Sequence, residues 1–255
     1  MRIIRYQHKG EPAQYGWVLE DMVGPIEGSI FGEFQRLEAT LPLSTVRLLP
    51  PVEPSKIICV GRNYVAHARE HGNEVPDVPL LFLKPPSAVI GPGEKIVLPV
   101  QSTQVEHEAE LVVVIGKRGR WIKPEIAMSF VLGYTIGNDV SARDLQRLDD
   151  QWTRAKGFDT FAPIGPWIET DFNPADAMIA CYVNGDMRQM SSTRDMVFNV
   201  RQLLAFTSSV MTLEPGDVLF TGTPAGVSPL KPGDSVEISI EGIGTLINRV
   251  SAETF

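Results

Sequence analysis

A chain of 255 residues with 43% hydrophobic and 21% charged side chains is long enough to bury a substantial core and too apolar for disorder. Its formal net charge of −8 leaves no basic excess to neutralise phosphates, so no nucleic-acid partner is expected. An acidic protein that handles an anionic substrate must concentrate positive charge locally, through a bound cation or a few Arg and Lys.

The N-terminal stretch Met1-Arg2-Ile3-Ile4-Arg5-Tyr6 lacks the apolar centre of a secretory signal. No run of about 18 apolar residues occurs, so no membrane partner is expected. Residues 1–50 read as a small β-rich domain with strands at 3–6 and 15–20. Pro50, Pro51 and Pro54 then resist both helix and central strand and mark the boundary to a larger domain, residues 51–255. Apolar runs predict strands there at 56–60, 80–83, 95–98, 108–115, 132–136, 180–183, 217–220 and 235–240. Three similar turns, Pro92-Gly93-Glu94, Pro215-Gly216-Asp217 and Pro232-Gly233-Asp234, separate some of them. Helical spacing predicts a helix over 63–71, with Asn63 as N-cap and Gly72 as stop. A shorter one is expected over 144–152, and the clearest over 196–211 with Asp195 as cap. The result is a mixed, β-dominated α+β class, without the β-α-β alternation of a Rossmann or TIM fold. Cys59 and Cys181 sit in strand-like stretches with no C-x-x-C spacing, which reads as two structural thiols in a reducing cytoplasm.

The segment His107-Glu108-Ala109-Glu110-Leu111 places two carboxylates on one face of a strand. Two such groups in a low-dielectric setting cannot both stay ionised unaided, and a divalent cation is the simplest aid. Asp139 follows another apolar run and can complete the set. Three carboxylates suit Mg2+ or Mn2+, with Ca2+ as a substitute, and the lack of sulfur and imidazole ligands argues against zinc. A solvated strand edge is the competing reading of Glu-x-Glu, and Glu106 extends the same alternation.

Other candidates depend on neighbours. His67 and Glu70 lie at i and i+3 on one helix face, where a carboxylate can orient an imidazole as a general base. His71 is a second imidazole at the point where Gly72 ends the helix. Arg143 and Gln146 follow Asp139 and can face the same pocket; the alternative for Arg143 is an ion pair with Asp144 or Asp149. Gly222 and Thr223, in Thr221-Gly222-Thr223-Pro224, form a loop able to grip a carboxylate. For Lys84 a structural ion pair and substrate binding both stay open.

Together the segments resemble the fumarylacetoacetate hydrolase family. The resemblance is carried by Gly61-Arg62-Asn63-Tyr64, Phe82-Leu83-Lys84-Pro85, His107-Glu108-Ala109-Glu110-Leu111, Asp139-Val140-Ser141-Ala142-Arg143-Asp144-Leu145-Gln146, Ala155-Lys156-Gly157-Phe158-Asp159-Thr160, Val183-Asn184-Gly185 and Gly216-Asp217-Val218-Leu219-Phe220-Thr221-Gly222-Thr223-Pro224, in that order. It implies a β-sandwich roll behind a small N-terminal domain, a homodimer, and Mg2+ or Mn2+ on Glu108, Glu110 and Asp139. It further implies a mobile His67–Glu70 dyad that activates water, Lys156 close to the metal, and substrate contacts from Arg143, Gln146, Gly222 and Thr223. The implied activity is C–C hydrolysis or lysis of small 2-oxo or 2,4-dioxo acids, such as acylpyruvates or oxaloacetate, through a metal-stabilised enolate. Two alternatives accompany it: an isomerase or decarboxylase of dienoic diacids from aromatic degradation, and a non-catalytic metal-stabilised metabolite-binding protein.

Overall fold

The computed structural model describes residues 1–70 and 72–254, and in them the expected strand-dominated α+β class is realised as two large packed sheets and a two-stranded ribbon, Val105–Glu106 with Ser141–Ala142. His71 lies outside the described residues. The larger sheet runs Phe34–Arg36, Met22–Gly28, Gln14–Leu19, Arg2–Gln7, Ala162–Glu169, Val131–Asn138, Ala109–Ile115, Val218–Phe220, Ile57–Gly61 and Leu80–Lys84. The smaller runs Lys95–Leu98, Gly244–Ala252, Ser235–Ile240, Met178–Val183 and Asp186–Ser192. Among the described residues no helix is long and apolar enough to cross a membrane.

Ala109–Ile115 is buried along its whole length, and its period of two divides it between two cores. Ala109, Leu111, Val113 and Ile115 join Ile58, Val60 and Leu219 against the smaller sheet, which contributes Ile179, Cys181, Ile238 and Leu246. Val112 and Val114 face the other way, with Ile57, Cys59, Val218 and Phe220. A run apolar on both faces is what a central strand requires. The two cysteines are buried and unbridged, one on each side of this arrangement.

The first strand pairs antiparallel with Ala162–Glu169, Arg2 opposite Glu169, and the Met1 ammonium meets Glu169 Oε1 at 2.6 Å. The N-terminal strands therefore continue the large sheet. Residues 49–56, which include all three boundary prolines, carry neither strand nor helix.

Met22–Gly28 and Phe34–Arg36 near the N-terminus escaped the pattern reading, and so did three strands of seven to nine residues further along. Ala162–Glu169 contains Pro163, Gly165 and Pro166, which read as breakers. Asp186–Ser192 is polar, and among its residues only Gln189 and Ser192 are buried. In Gly244–Ala252 a buried Asn248 interrupts the apolar alternation; its amide donates to the carbonyls of Gly91 and Glu94, each at 2.9 Å.

The helices are shorter than their sequence patterns. α1 spans Val65–Glu70, α2 Arg143–Leu148, α3 Thr153–Lys156 and α4 Val200–Val210. The expected helix over 144–152 is realised only as α2, which ends at Leu148, and α3 begins after Trp152. The expected cap Asp195 instead closes a single turn, Thr193–Asp195, begun by Ser192. Helix α4 starts at a second capping box, in which Asn199 accepts from the Gln202 N–H at 3.1 Å and Gln202 Oε1 accepts from the Asn199 N–H at 3.0 Å. Asn63 does not cap α1. Its amide accepts from the Phe198 N–H (2.8 Å) and donates to the carbonyls of Phe198 (3.0 Å) and Thr221 (2.7 Å), tying three loops together.

The Pro-Gly-acid turns share one construction. Gly93, Gly216 and Gly233 have φ of 77°, 87° and 96°, where L-residues are strained. In each turn the acidic side chain accepts the N–H three residues back: Glu94 from Gly91 (2.6 Å), Asp217 from Glu214 (2.7 Å) and Asp234 from Lys231 (2.7 Å). Fully buried Asp217 also takes the Ser55 hydroxyl at 2.6 Å and both nitrogens of Lys56, which clamps the start of the parallel pair Val218–Phe220 and Ile57–Gly61. Asp217→Ala leaves those donors without a carboxylate and is expected to lower stability by about 2–4 kcal/mol, measured by urea unfolding.

Candidate active site

The antiparallel register between Ala109–Ile115 and Val131–Asn138 builds the acidic centre. Ala109 opposes Asn138 and Glu110 opposes Gly137. One step further the ladder continues with the Asp139 N–H donating to the Glu108 carbonyl at 2.9 Å, so Glu108 and Asp139 stand opposite each other. Glu108 and Glu110 have the same parity as Val112 and Val114 and cap the end of the second core. Gly137 makes room: a Cβ there would lie 2.5 Å from both the Phe220 ring and Val112. The three carboxylates are 4%, 1% and 1% exposed, and one oxygen from each lies within 4.8 Å of the others. The solvated-edge reading of Glu-x-Glu therefore does not apply.

Buried cations surround this trio. Lys156 Nζ bridges Glu108 (2.8 Å) and Asp139 (2.7 Å) and lies 5.1 Å from the Phe82 ring centre. Lys84 Nζ meets Asp139 at 2.5 Å and donates to the Val140 carbonyl at 3.1 Å, which is the ion pair that was one of its two open readings. Arg143 donates to Glu106 (2.8 Å), Glu108 (2.6 Å) and the Gln146 carbonyl oxygen (2.6 Å), and not to Asp144 or Asp149. Burial alone would raise the Glu108 pKa, but Lys156 and Arg143 overcome it and hold the group well below the usual carboxylate range. Burial likewise opposes the Lys156 charge, and Asp139 and Glu108 outweigh it.

Glu110 is different. Burial, then Asp139 and Glu108, push its pKa well above the usual range, and among the described residues its carboxyl group accepts one hydrogen bond, from the Gly222 N–H at 2.7 Å. Four carboxylates, Glu106, Glu108, Glu110 and Asp139, thus face three cations, Lys84, Arg143 and Lys156. A hard divalent cation on the oxygens of Glu108, Glu110 and Asp139 fits this charge balance and donor set, as Mg2+ or Mn2+ requires.

Above the trio opens a cavity of about 340 Å³, bordered among others by Arg62, His67, Arg143, Gln146, Arg147 and Lys156. On α1, His67 Nδ1 lies 3.4 Å from Glu70 Oε2, so the two form a pair. The Glu70 oxygens also accept from the Gly226 N–H at 3.1 and 3.2 Å. Gly222 uses its N–H on Glu110. The Thr223 hydroxyl donates to the Ala109 carbonyl (2.9 Å) and accepts from Gln189 (2.8 Å).

Gln189 was not anticipated. Its Oε1 accepts from the Ala109 N–H (3.1 Å) and His107 Nδ1 (3.0 Å), while its Nε2 donates to Thr223 and to the Pro224 carbonyl (2.7 Å). Glu106, which anchors Arg143, and Asn138, which accepts the Glu108 N–H at 2.9 Å, were also missed. Glu106 alternates with Glu108 and was the one with a visible signal.

The profile of the family described as Fumarylacetoacetate (FAA) hydrolase C-terminal matches residues 56–251, and that of Rv2993c-like, N-terminal matches residues 1–51. The chain is 47% identical over 223 residues to the oxaloacetate tautomerase FAHD2B, mitochondrial, of Bos taurus, covering 82% of this chain and 71% of that one. The 5-carboxymethyl-2-hydroxymuconate delta-isomerase from Mycobacterium smegmatis superposes with a TM-score of 0.93 at 46% identity, over 99% of this chain and 100% of the other. The maleylpyruvate hydrolase from Sphingobium sp. SYK-6, solved with manganese(II) and pyruvate, gives 0.82 at 33% identity, over the full length of both.

His107 supplies a pH signature. Burial lowers its pKa below the usual 6.5 despite the Gln189 bond, so the folded protein holds it neutral. Above the unfolded value both states are neutral; below it the unfolded chain binds a proton that the folded chain resists, and stability is lost as pH falls. Denaturant midpoints between pH 7 and 5 are expected to fall more steeply for the wild type than for His107→Gln.

Proposed function

The chain belongs to the fumarylacetoacetate hydrolase family, and on that premise we propose that it is a Mg2+- or Mn2+-dependent enzyme that cleaves a C–C bond in small 2-oxo acids, 2,4-dioxo acids above all. The observation that carries this reading is the buried trio Glu108, Glu110 and Asp139 with the Lys156 ammonium against two of its members, at the base of a cavity bordered by His67. When bound there, the ion supplies Lewis-acid stabilisation of negative charge developing on a 2-oxo acid.

The side chains divide the remaining work. Lys156, fixed in its charged form, offsets the enolate charge left on the pyruvyl fragment as the bond to C4 breaks. Arg143 holds Glu108 in place and adds positive charge at the cavity wall. Gln146, whose carbonyl oxygen is taken by Arg143, offers its amide N–H groups to a substrate oxygen. Gly222 orients Glu110, and Thr223 borders the cavity beside it. His67, oriented by Glu70, removes a proton from water as the oxygen attacks the 4-keto carbon. The electron pair of the breaking C3–C4 bond passes to the pyruvyl enolate, which is then protonated to pyruvate; the acyl fragment leaves as an acid. Loss of CO2 from a β-carboxylate uses the same enolate without the attacking water. So does tautomerisation, the reaction named for the Bos taurus relative.

Two measurements test this. A panel of acetylpyruvate, fumarylpyruvate, oxaloacetate and a dienoic diacid should show turnover that EDTA abolishes and Mg2+ or Mn2+ restores; full activity of the metal-free protein overturns the reading. His67→Ala should lower kcat for hydrolysis by about 100-fold. It should affect enolate tautomerisation less, and an unchanged hydrolytic kcat removes the dyad from the mechanism.

A further inference from the structure

Gln189 stands on Asp186–Ser192, the edge strand of the smaller sheet, yet it is 1% exposed and reaches the backbone between Glu108 and Glu110. Its partners admit one orientation of the amide. The Pro224 carbonyl can only accept, so Nε2 faces it, at 2.7 Å; the Ala109 N–H can only donate, so Oε1 faces it, at 3.1 Å. Nε2 also donates to the Thr223 hydroxyl (2.8 Å), and Oε1 also accepts from His107 Nδ1 (3.0 Å). With its proton on Nδ1, His107 accepts the Ser228 hydroxyl at Nε2, 2.9 Å away.

These bonds place one loop, residues 223–228. Its two ends are tied to the segment 107–109, by the Thr223 hydroxyl on the Ala109 carbonyl (2.9 Å) and by Ser228 on His107. Between the ends Gln189 holds the Pro224 carbonyl, and the loop then crosses the edge strand at Gly226. A Cβ there would lie 2.1 Å from the Arg188 carbonyl oxygen and 3.3 Å from Gln189 Cα, and φ is 103°, so a side chain displaces the loop. From this position the Gly226 N–H meets both oxygens of Glu70, at 3.1 and 3.2 Å, and Glu70 Oε2 lies 3.4 Å from His67 Nδ1. Hydrogen bonds and a short stretch of backbone thus connect Gln189 to the imidazole that borders the cavity.

We propose that Gln189 is a positioning residue: it fixes the 223–228 loop, the loop fixes Glu70, and Glu70 fixes α1 with His67 at the cavity. The catalytic consequence rests on the hydrolytic reading above, in which His67 is the base. A buried amide satisfied at both ends is directional, and removing it leaves the Pro224 carbonyl and the Ala109 N–H without this partner. The loop then loses its hold on the edge strand, and the Gly226–Glu70 bonds open more often.

Amide hydrogen exchange, followed by mass spectrometry, reads this without metal or turnover. In Gln189→Met, of similar length but without the amide, residues 62–70 and 223–228 should exchange about tenfold faster, the scale of one lost hydrogen bond, while 110–115 keep their wild-type protection. Gly226→Ala should give the same pattern by pushing the loop off Arg188. In a Glu70→Ala background Gln189→Met should no longer change exchange of 62–70, because the connection is already cut. Unchanged exchange of 62–70, a uniform loss of protection across the large sheet, or an additive effect of the two substitutions overturns the proposal and leaves the proposed function standing. In hydrolysis, Gln189→Met should lower kcat by about tenfold with KM held, and lower it no further in His67→Ala. An unchanged kcat with a loosened α1 overturns the catalytic consequence. Absence of turnover by the wild type on every acid of the panel is instead a failure of the proposed function, and the exchange comparison then decides the place of Gln189 alone. If Gln189→Met does not fold, Gln189→Glu, which keeps the acceptor for Ala109 and His107 and lacks the amide donor, is read by the same exchange pattern.

Discussion

Glu106, Glu108, Glu110 and Asp139 lie buried beside Lys84, Arg143 and Lys156, so the carboxyl groups outnumber the cations by one. Removing ions from water is costly unless each finds partners. Glu108 and Asp139 find two cations apiece, whereas Glu110 finds a single backbone N–H. The cluster is organised around that deficit. The trio could hold a divalent cation, which would offset it.

The sheet makes this arrangement rigid. Ala109–Ile115 is paired on both edges and buried on both faces, so the carboxylates at its end inherit a framework that cannot relax. The loops that complete the site have their own anchors. Asn63 joins the approach to α1 with residues 198 and 221, and Gln189 joins the Glu108–Glu110 segment to Thr223 and Pro224. These two amides are buried and hydrogen-bonded at both ends, which gives them directional control that apolar contacts lack. The more exposed part, α1 with the His67–Glu70 pair, is attached to the Thr221–Pro229 side through the Gly226 N–H.

Much of the carboxylate trio was legible before any coordinates. Glu108 and Glu110 share a strand face because strand periodicity is two, and Asp139 follows an apolar run that pairs with theirs. The His67–Glu70 contact follows from helical spacing alone. Less legible were residues whose roles depend on partners far away in the chain. Gln189 sits in a polar strand without a detectable pattern, and Asn63 resembles a helix cap while serving as a bridge to residues more than a hundred positions away. Arg143 reads as a substrate ligand or a local ion pair, yet its three nitrogens hold Glu106, Glu108 and Gln146.

By itself the sequence determined the strand-rich class, the carboxylate trio and the position of the dyad, because periodicities of two and of about 3.6 act over a few neighbouring residues. It was misleading where local preference competed with distant pairing: the breaker-rich strand Ala162–Glu169, and the helix that begins at Asn199 and not at Asp195. Only the tertiary structure decided which cations meet which carboxylates. Among the described residues that choice leaves Glu110 without an ion-pair partner, because ion pairing in a buried site depends on distances of a few ångströms between segments that sequence order does not relate.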